Sequence, residues 1–260
     1  MMFRRDEMEF ILKKSLLIAT FLFVFISNAN ANSLLIWPIY PQITAETNAT
    51  YLWMVNKGNV DSYLQVRIFK WGQNEGEDNY SNQNQLIATP PFVKIEPGEK
   101  QLIRILNQDE TTAGKEYAYR VIIDELPPTH DPLTDSMENE LAVKVRMRYS
   151  IPLFIYGKGL NNTQQQNKDS ELWNGLQAQL IKKNNQRFIH IKNSGNHHVR
   201  LVNLQLDSPN KETLMISEGL AGYILPEQYK VWPISYKNIN NMSLSANIGG
   251  KRYKIPLTQE

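Results

Sequence analysis

The sequence predicts an all-β protein of two β-sandwiches, the first of them immunoglobulin-like. Three observations predict it. From Asn32 onward, short runs rich in Val, Ile, Tyr, Phe and Trp alternate with Gly, Pro and Asn turns, the pattern of a sandwich or barrel. No stretch carries a convincing helical period. A polar stretch at residues 161–170, entered through Gly157-Lys158-Gly159, divides the runs into two sets, as a linker between domains does. A chain of 260 residues is long enough for two medium domains, each with its own core.

The elements follow in order. Lys13 and Lys14 precede an apolar run at 16–26, which breaks at Ser27-Asn28 and reaches Ala29-Asn30-Ala31. A basic start, a short apolar stretch and an A-x-A site predict a secretory signal peptide over residues 1–31, cleaved after Ala31. The run falls short of the roughly 20 residues a span requires, so no membrane span remains after cleavage. Residues 32–157 form the first domain, with strands at 33–40, 49–56, 63–71, 92–95, 100–107, 116–126 and 141–156. Lys57-Gly58-Asn59, Asn74-Glu75-Gly76, Glu96-Pro97-Gly98 and Pro127-Pro128 punctuate them. Residues 158–170 are the linker. Residues 171–260 form a second, smaller sandwich, with strands at 176–182, 188–193, 199–207, 222–225, 230–233, 243–248 and 253–257.

Composition excludes several chemistries. There is no cysteine, hence no disulfide framework, thiolate zinc site or cysteine nucleophile. With 28 Lys+Arg against 26 Asp+Glu, the chain lacks the basic excess of a nucleic-acid binder; after cleavage 24 basic and 23 acidic residues remain. His190, His197 and His198 have no Asp, Glu or Cys at ligand spacing and read as surface hairpin residues. No nucleophile elbow, phosphate loop or dinucleotide fingerprint occurs. Asp124 and Glu125 are adjacent on a strand and point to opposite faces, unlike a catalytic carboxylate pair. The expectation is a protein that is not an enzyme and takes no cofactor or metal. Trp53, Trp71, Tyr117 and Tyr119 are expected as core or sheet-face aromatics.

Residues 141–151 alternate almost without fault: Leu141, Val143, Val145, Met147, Tyr149 and Ile151 against Ala142, Lys144, Arg146, Arg148 and Ser150. One face is apolar and the other basic. Such a strand either faces its own core or, entered from the long polar loop before it, stands at a sheet edge. An apolar edge strand is an aggregation hazard unless pairing with another chain is its purpose.

Three stretches carry a family resemblance. Leu86-Ile87-Ala88-Thr89-Pro90-Pro91, followed by Ile95-Glu96-Pro97-Gly98 and Arg104-Ile105, resembles a run of the PapD-like periplasmic chaperones of the chaperone–usher pathway. Tyr117-Ala118-Tyr119-Arg120, running on to Glu125-Leu126-Pro127-Pro128, is similar to another. Arg146-Met147-Arg148-Tyr149-Ser150-Ile151-Pro152 resembles the last strand of that family's first domain, in its archaic, Csu-like form. The resemblance covers the first domain and, more loosely, the second. It implies two immunoglobulin-like sandwiches set at an angle, PapD-like, in a periplasmic chaperone that folds and caps pilus or fimbrial subunits and delivers them to an outer-membrane usher. In that family an edge strand is donated to the incomplete subunit; by position Val143, Val145 and Met147 match the donor residues, with Leu141 and Tyr149 extending the row.

The family's usual anchor for the subunit's terminal carboxylate is an Arg in the first strand and a Lys at the end of the donor strand. Tyr40 and Pro152 stand at the matching positions and cannot make that ion pair. Arg120 is the first replacement, with Arg148 and Arg104 after it, since an Arg fork accepts a carboxylate through two charge-assisted bonds. Glu125 is assigned to a salt bridge between the domains. A different function class remains open to the sequence: a secreted carbohydrate-binding or adhesin module with exposed Trp and Tyr platforms. A pilus subunit is disfavoured, because it would show one domain and an N-terminal donor segment.

Overall fold

The computed structural model describes residues 34–127, 145–160, 175–210, 213–235 and 241–259. The predicted signal peptide, Leu141 and Val143 lie outside them. All regular structure among the described residues is β.

Ten strands build the first unit: β1 (Leu34–Trp37), β2 (Gln42–Ile43), β3 (Ala49–Asn56), β4 (Ser62–Asn74), β5 (Glu77–Ser81), β6 (Leu86–Thr89), β7 (Phe92–Ile95), β8 (Lys100–Asn107), β9 (Glu116–Leu126) and β10 (Arg148–Tyr156). They form a four-stranded sheet in the order β1-β3-β8-β6, and a six-stranded sheet β2-β10-β9-β4-β5 with β7 also on β4. The path crosses between sheets at Pro90-Pro91: β6 pairs with β8 and β7 with β4. Neither proline has an N–H to continue a ladder, so the strand divides there. Leu52, Met54, Ile103 and Ile105 of one sheet meet Val66, Val121, Ile123, Leu153 and Ile155 of the other in a buried core. Alternating side chains fill such a gap because successive residues of a strand face opposite ways.

Three strands of this unit, β2, β5 and β6, lie outside the expected runs. β5 reads Glu-Asp-Asn-Tyr-Ser with almost no burial, so it carries no hydrophobic period. It exists because Glu75 and Gly76, at φ 52° and 83°, close a two-residue hairpin that draws β4 on to Asn74. β6 lay within the Leu86–Thr89 motif but was not read as a strand. The last strand departs in the other direction. It was expected over 141–156 and begins at Arg148; Val145, Arg146 and Met147 are described but lie in no strand.

The second unit holds β11 (Leu176–Lys183), β12 (Gln186–Asn193), β13 (Val199–Asp207), β14 (Thr213–Ile224), β15 (Tyr229–Ile234), β16 (Ser243–Ile248), β17 (Lys251–Ile255) and β18 (Leu257–Gln259). Its sheets run β15-β12-β11-β18 and β14-β13-β16-β17, around Ile189, Ile191, Leu201, Leu204, Leu206 and Leu244. Only 222–225 was expected of β14. Its register with β13 shifts three times, with Asn203, Gly219 and Gly222 at positive φ, and such bulges erase the period-2 signal.

A third apolar cluster joins the units: Trp71, Ala118, Phe154 and Tyr156 from the first, Tyr223 and Leu225 from the second, and Leu160 between them. Gly157 sits where a Cβ would come 1.9 Å from the Thr112 carbonyl, so the chain leaves the first unit at a point only glycine fits.

Candidate functional site

The site begins with the edge of β10. Along one side β10 pairs with β9 without a break, from Arg148↔Asp124 to Tyr156↔Glu116. Along the other it meets only β2, at Phe154 and Ile155. From Arg148 to Leu153 no strand among the described residues covers that side. β1 is likewise the outer strand of its sheet, so the sandwich is open between β1 and β10. There lies a cleft of about 590 Å³, walled by Leu35 and Ile39 on one side, Ser150 and Pro152 on the other, and Tyr223 and Leu220 of the second unit. The Tyr149 hydroxyl closes one end, accepting a hydrogen bond from the Leu34 backbone N–H.

The inward row of β10 runs out of cover along its length. Ile155, Leu153 and Ile151 are buried in the core, and Tyr149 packs half-buried against it. Two residues further, Met147 is 44 % exposed, and at Val145 exposure reaches 74 %. One apolar row therefore serves the protein's own core at one end and faces solvent at the other.

Arg120 stands on the outer face of β9, opposite Pro152, and lines the cleft. Its guanidinium lies 3.8 Å over the ring of Trp71 and 5.5 Å from that of Tyr223, contacts that hold a cation in place. It hydrogen-bonds the Tyr80 hydroxyl, while its Nε is buried without a partner. Burial, with Tyr40 beside it, pushes the Tyr223 hydroxyl up to about 12, so it stays protonated beside the Arg120 guanidinium. Arg200 was not anticipated from the sequence. It lies across the ladder from Tyr223, 5.9 Å over the Tyr40 ring, and its Nε is also buried and unpartnered. Nothing local distinguishes it in the sequence, since it sits in the second domain and reaches the site only through domain packing.

The other expected residues are placed differently. Arg148 Nε bonds Asp124 Oδ1, and Arg67 Nη2 bonds Asp124 Oδ2 at 2.6 Å, so Arg148 is engaged in an ion triplet at the surface. Arg104 is exposed on β8, paired with Tyr51 and Thr89 in the opposite sheet, and is not brought to the cleft. Glu125 was assigned to the domain junction but stands at the far end of β9, where its Oε2 accepts the Met147 N–H at 3.2 Å. The junction's carboxylates are Asp78, which takes Lys230 Nζ at 3.1 Å, and Glu116, nine residues before Glu125 and therefore at the opposite end of the strand. The two oxygens of Glu116 take the His198 backbone N–H at 3.0 Å and Nδ1 at 2.9 Å. His198 also stacks on Phe154, ring centroids 3.5 Å apart. His197 and His198, expected in a surface hairpin, are instead buried, because the connection that carries them crosses from β12 in one sheet to β13 in the other and is pressed into the junction. Trp71 and Tyr119 are buried, as core aromatics should be.

Comparison with known proteins bears on these features. Residues 40–161 match the family described as pili and flagellar-assembly chaperone, PapD N-terminal domain. The chain is 34% identical to the chaperone in the crystal structure of the CsuC–CsuE chaperone–tip adhesion subunit pre-assembly complex, from archaic chaperone–usher Csu pili of Acinetobacter baumannii. That match covers 88% of this chain and 99% of that one, with a TM-score of 0.67. The chain belongs to the PapD-like pilus-assembly chaperones. Within them this chaperone stands close to the Csu branch, as its Arg146–Pro152 motif anticipated. The YadV chaperone (14% identity, TM-score 0.60, covering 85% of this chain and 99% of that one) and the E. coli chaperone DraB (16%, 0.58, 87% and 97%) share the fold. No curated protein sequence matches the chain. The family is a non-enzymatic chaperone fold of two immunoglobulin-like sandwiches set at an angle. The carbohydrate-binding alternative falls with the family assignment.

Proposed function

We propose that this chaperone is exported to the periplasm behind residues 1–31 and there holds a pilus subunit by lending it the strand that precedes and begins β10. The observation that carries the reading is the uncovered end of the β10 row beside an unpaired edge. Main-chain hydrogen bonds along that edge bring a partner strand in, and alternate side chains entering its open groove set the register. Val145 and Met147, with Leu141, Val143 and Tyr149 in the same alternation, are the donor side chains. Each such side chain, once buried, contributes about 1.5–3 kcal/mol, enough in a row to hold an otherwise aggregating subunit.

Arg120 is the anchor for the subunit's terminal carboxylate. Its ring-clamped guanidinium on the cleft wall supports that role, and its place beside Pro152 puts the charge at the end of the open edge. Delivery to an outer-membrane usher completes the proposal. The outer face of the β1-β3-β8-β6 sheet supports it: Leu35, Trp37, Tyr51, Ile87 and Leu102 are exposed there, with Trp37 stacked on Trp53 at 6.2 Å. The face of a sheet turned to solvent is normally polar, and a contiguous apolar patch marks a docking surface.

The test is substitution of the donor row. Val145→Asp and Met147→Asp are expected to leave the chaperone folded, because both positions are exposed, and to abolish recovery of its subunit from the periplasm. Unchanged recovery with both substitutions overturns the reading. N-terminal sequencing of the periplasmic protein is expected to begin at Asn32.

A further inference from the structure

We propose that Pro152 is the register stop for the bound subunit's last strand, the residue that decides where the subunit's chain must end. The inference rests on the strand donation proposed above. The phase of the β9–β10 ladder is set by the bond from the Glu125 N–H to the Met147 carbonyl, 3.0 Å. The register is unbroken from there, and in an antiparallel ladder successive residues turn their main-chain groups to opposite sides. Met147, Tyr149, Ile151 and Leu153 therefore face β9, while Arg148, Ser150, Pro152 and Phe154 face the other way. Phe154 is met there by β2, at Gln42. The open edge consists of Arg148, Ser150 and Pro152.

Those three are not equivalent. Arg148 and Ser150 each offer an N–H and a carbonyl to an incoming strand. Pro152 has no N–H, and it lies on an edge, where a strand tolerates proline. A chain running along β10 in its direction is held at Arg148 and Ser150, loses its donor at Pro152, and finds the edge beyond occupied by β2. Arg120 faces Pro152 across the ladder, so the chain's carboxylate reaches the guanidinium at the residue where pairing fails. Proline ends the hydrogen bonding and arginine receives the charge. A subunit with residues added after its natural terminus must either drive a carbonyl against the donorless position or slide back by two, which displaces its pockets from Val145 and Met147.

The experiment uses the subunit that co-purifies with the wild-type chaperone, in its natural length, extended by two residues, and shortened by two. Wild-type chaperone is expected to recover the natural form about tenfold or more over the extended one, the effect of leaving one main-chain acceptor unpaired on burial. Pro152→Ala is expected to relax that preference. Ser150→Pro, which leaves the β9 ladder intact because Ser150 faces the open edge, is expected to move the preference to the shortened form. If Pro152→Ala self-associates through its restored edge, Ser150→Pro decides alone. A length preference that ignores the position of the proline overturns the inference while leaving strand donation standing. Absence of any co-purifying subunit overturns strand donation and the inference with it.

Discussion

Glu116 of the first sandwich gives both carboxylate oxygens to His198 of the second, one to its backbone N–H at 3.0 Å and one to Nδ1 at 2.9 Å. Neither side chain has appreciable contact with solvent. The bond is reinforced by Gln73, whose Nε2 donates to the Tyr223 carbonyl at 2.7 Å and whose Oε1 accepts the Leu225 N–H at 2.9 Å. Lys230 bonds Asp78 at 3.1 Å on the β4–β5 hairpin. The angle between the sandwiches, and with it the second-domain wall of the cleft, is held by polar contacts around an apolar centre.

Glu116→Ala is therefore expected to destabilise the junction by about 1–3 kcal/mol for each buried group of His198 left unpaired. The two sandwiches should then unfold in separate transitions. Differential scanning calorimetry checks this: wild type is expected to show one cooperative transition and the variant two.

Asp124 makes stability depend on pH. Burial raises its pKa, but the hydrogen bonds from Arg148 and Arg67 lower it more, and the net value lies below the usual 3.8. A folded-state pKa below the unfolded one gives stability that is complete above the unfolded value and is lost as pH falls through the folded value. Urea midpoints are expected to hold steady from pH 7 to about 5 and to fall below pH 4. Asp124→Asn is expected to flatten that fall. Asp207 is also lowered, burial opposing the hydrogen bonds of Ser245 and Gln205, so it accounts for part of the slope that remains.

Arg120→Ala is expected to reduce subunit recovery at least tenfold, the scale of a lost charge-assisted bond, while Arg146→Ala changes it little. Arg120→Lys is expected to rescue poorly, because an ammonium neither forks onto a carboxylate nor stacks flat on Trp71. Pull-down of co-expressed subunit with each variant measures all three. Equal effects of the Arg120 and Arg146 substitutions would mean the anchor lies elsewhere.

Trp37→Glu combined with Tyr51→Glu is expected to leave the chaperone–subunit complex intact and to stop its delivery. Both residues are on the solvent face of their sheet, and neither lines the cleft beside the β10 edge. Complexes should accumulate in the periplasm and surface pili should disappear, measured by immunoblot of periplasmic and sheared-surface fractions.

Much of this was legible in the chain itself. β3, β7, β8, β9, β13 and β16 have the bounds their alternation predicted, since a half-buried strand writes its period directly into its side chains. β5 and most of β14 were hidden: one is polar on both faces and held by a turn, the other is broken by bulges. At the site, Arg120 was found because it stands in a recognisable strand motif. Arg200, Tyr223 and Glu116 carry no local signal, since each acquires its role from a partner more than 80 residues away in the chain or from the packing of one sandwich on the other.

By itself the sequence determined the two sandwiches and the apolar row through Val145 and Met147. These are properties of period, composition and residue type, which neighbouring positions are enough to express. Only the tertiary structure decided which end of that row is uncovered, because burial depends on what the opposite sheet supplies. It also decided that Arg148 is taken up by Asp124, that Glu116 rather than Glu125 ties the domains together, and that the cleft is walled by the second sandwich. Charge and hydrogen-bonding groups acquire roles from the partners within about 3 Å of them, and those partners come from distant parts of the chain.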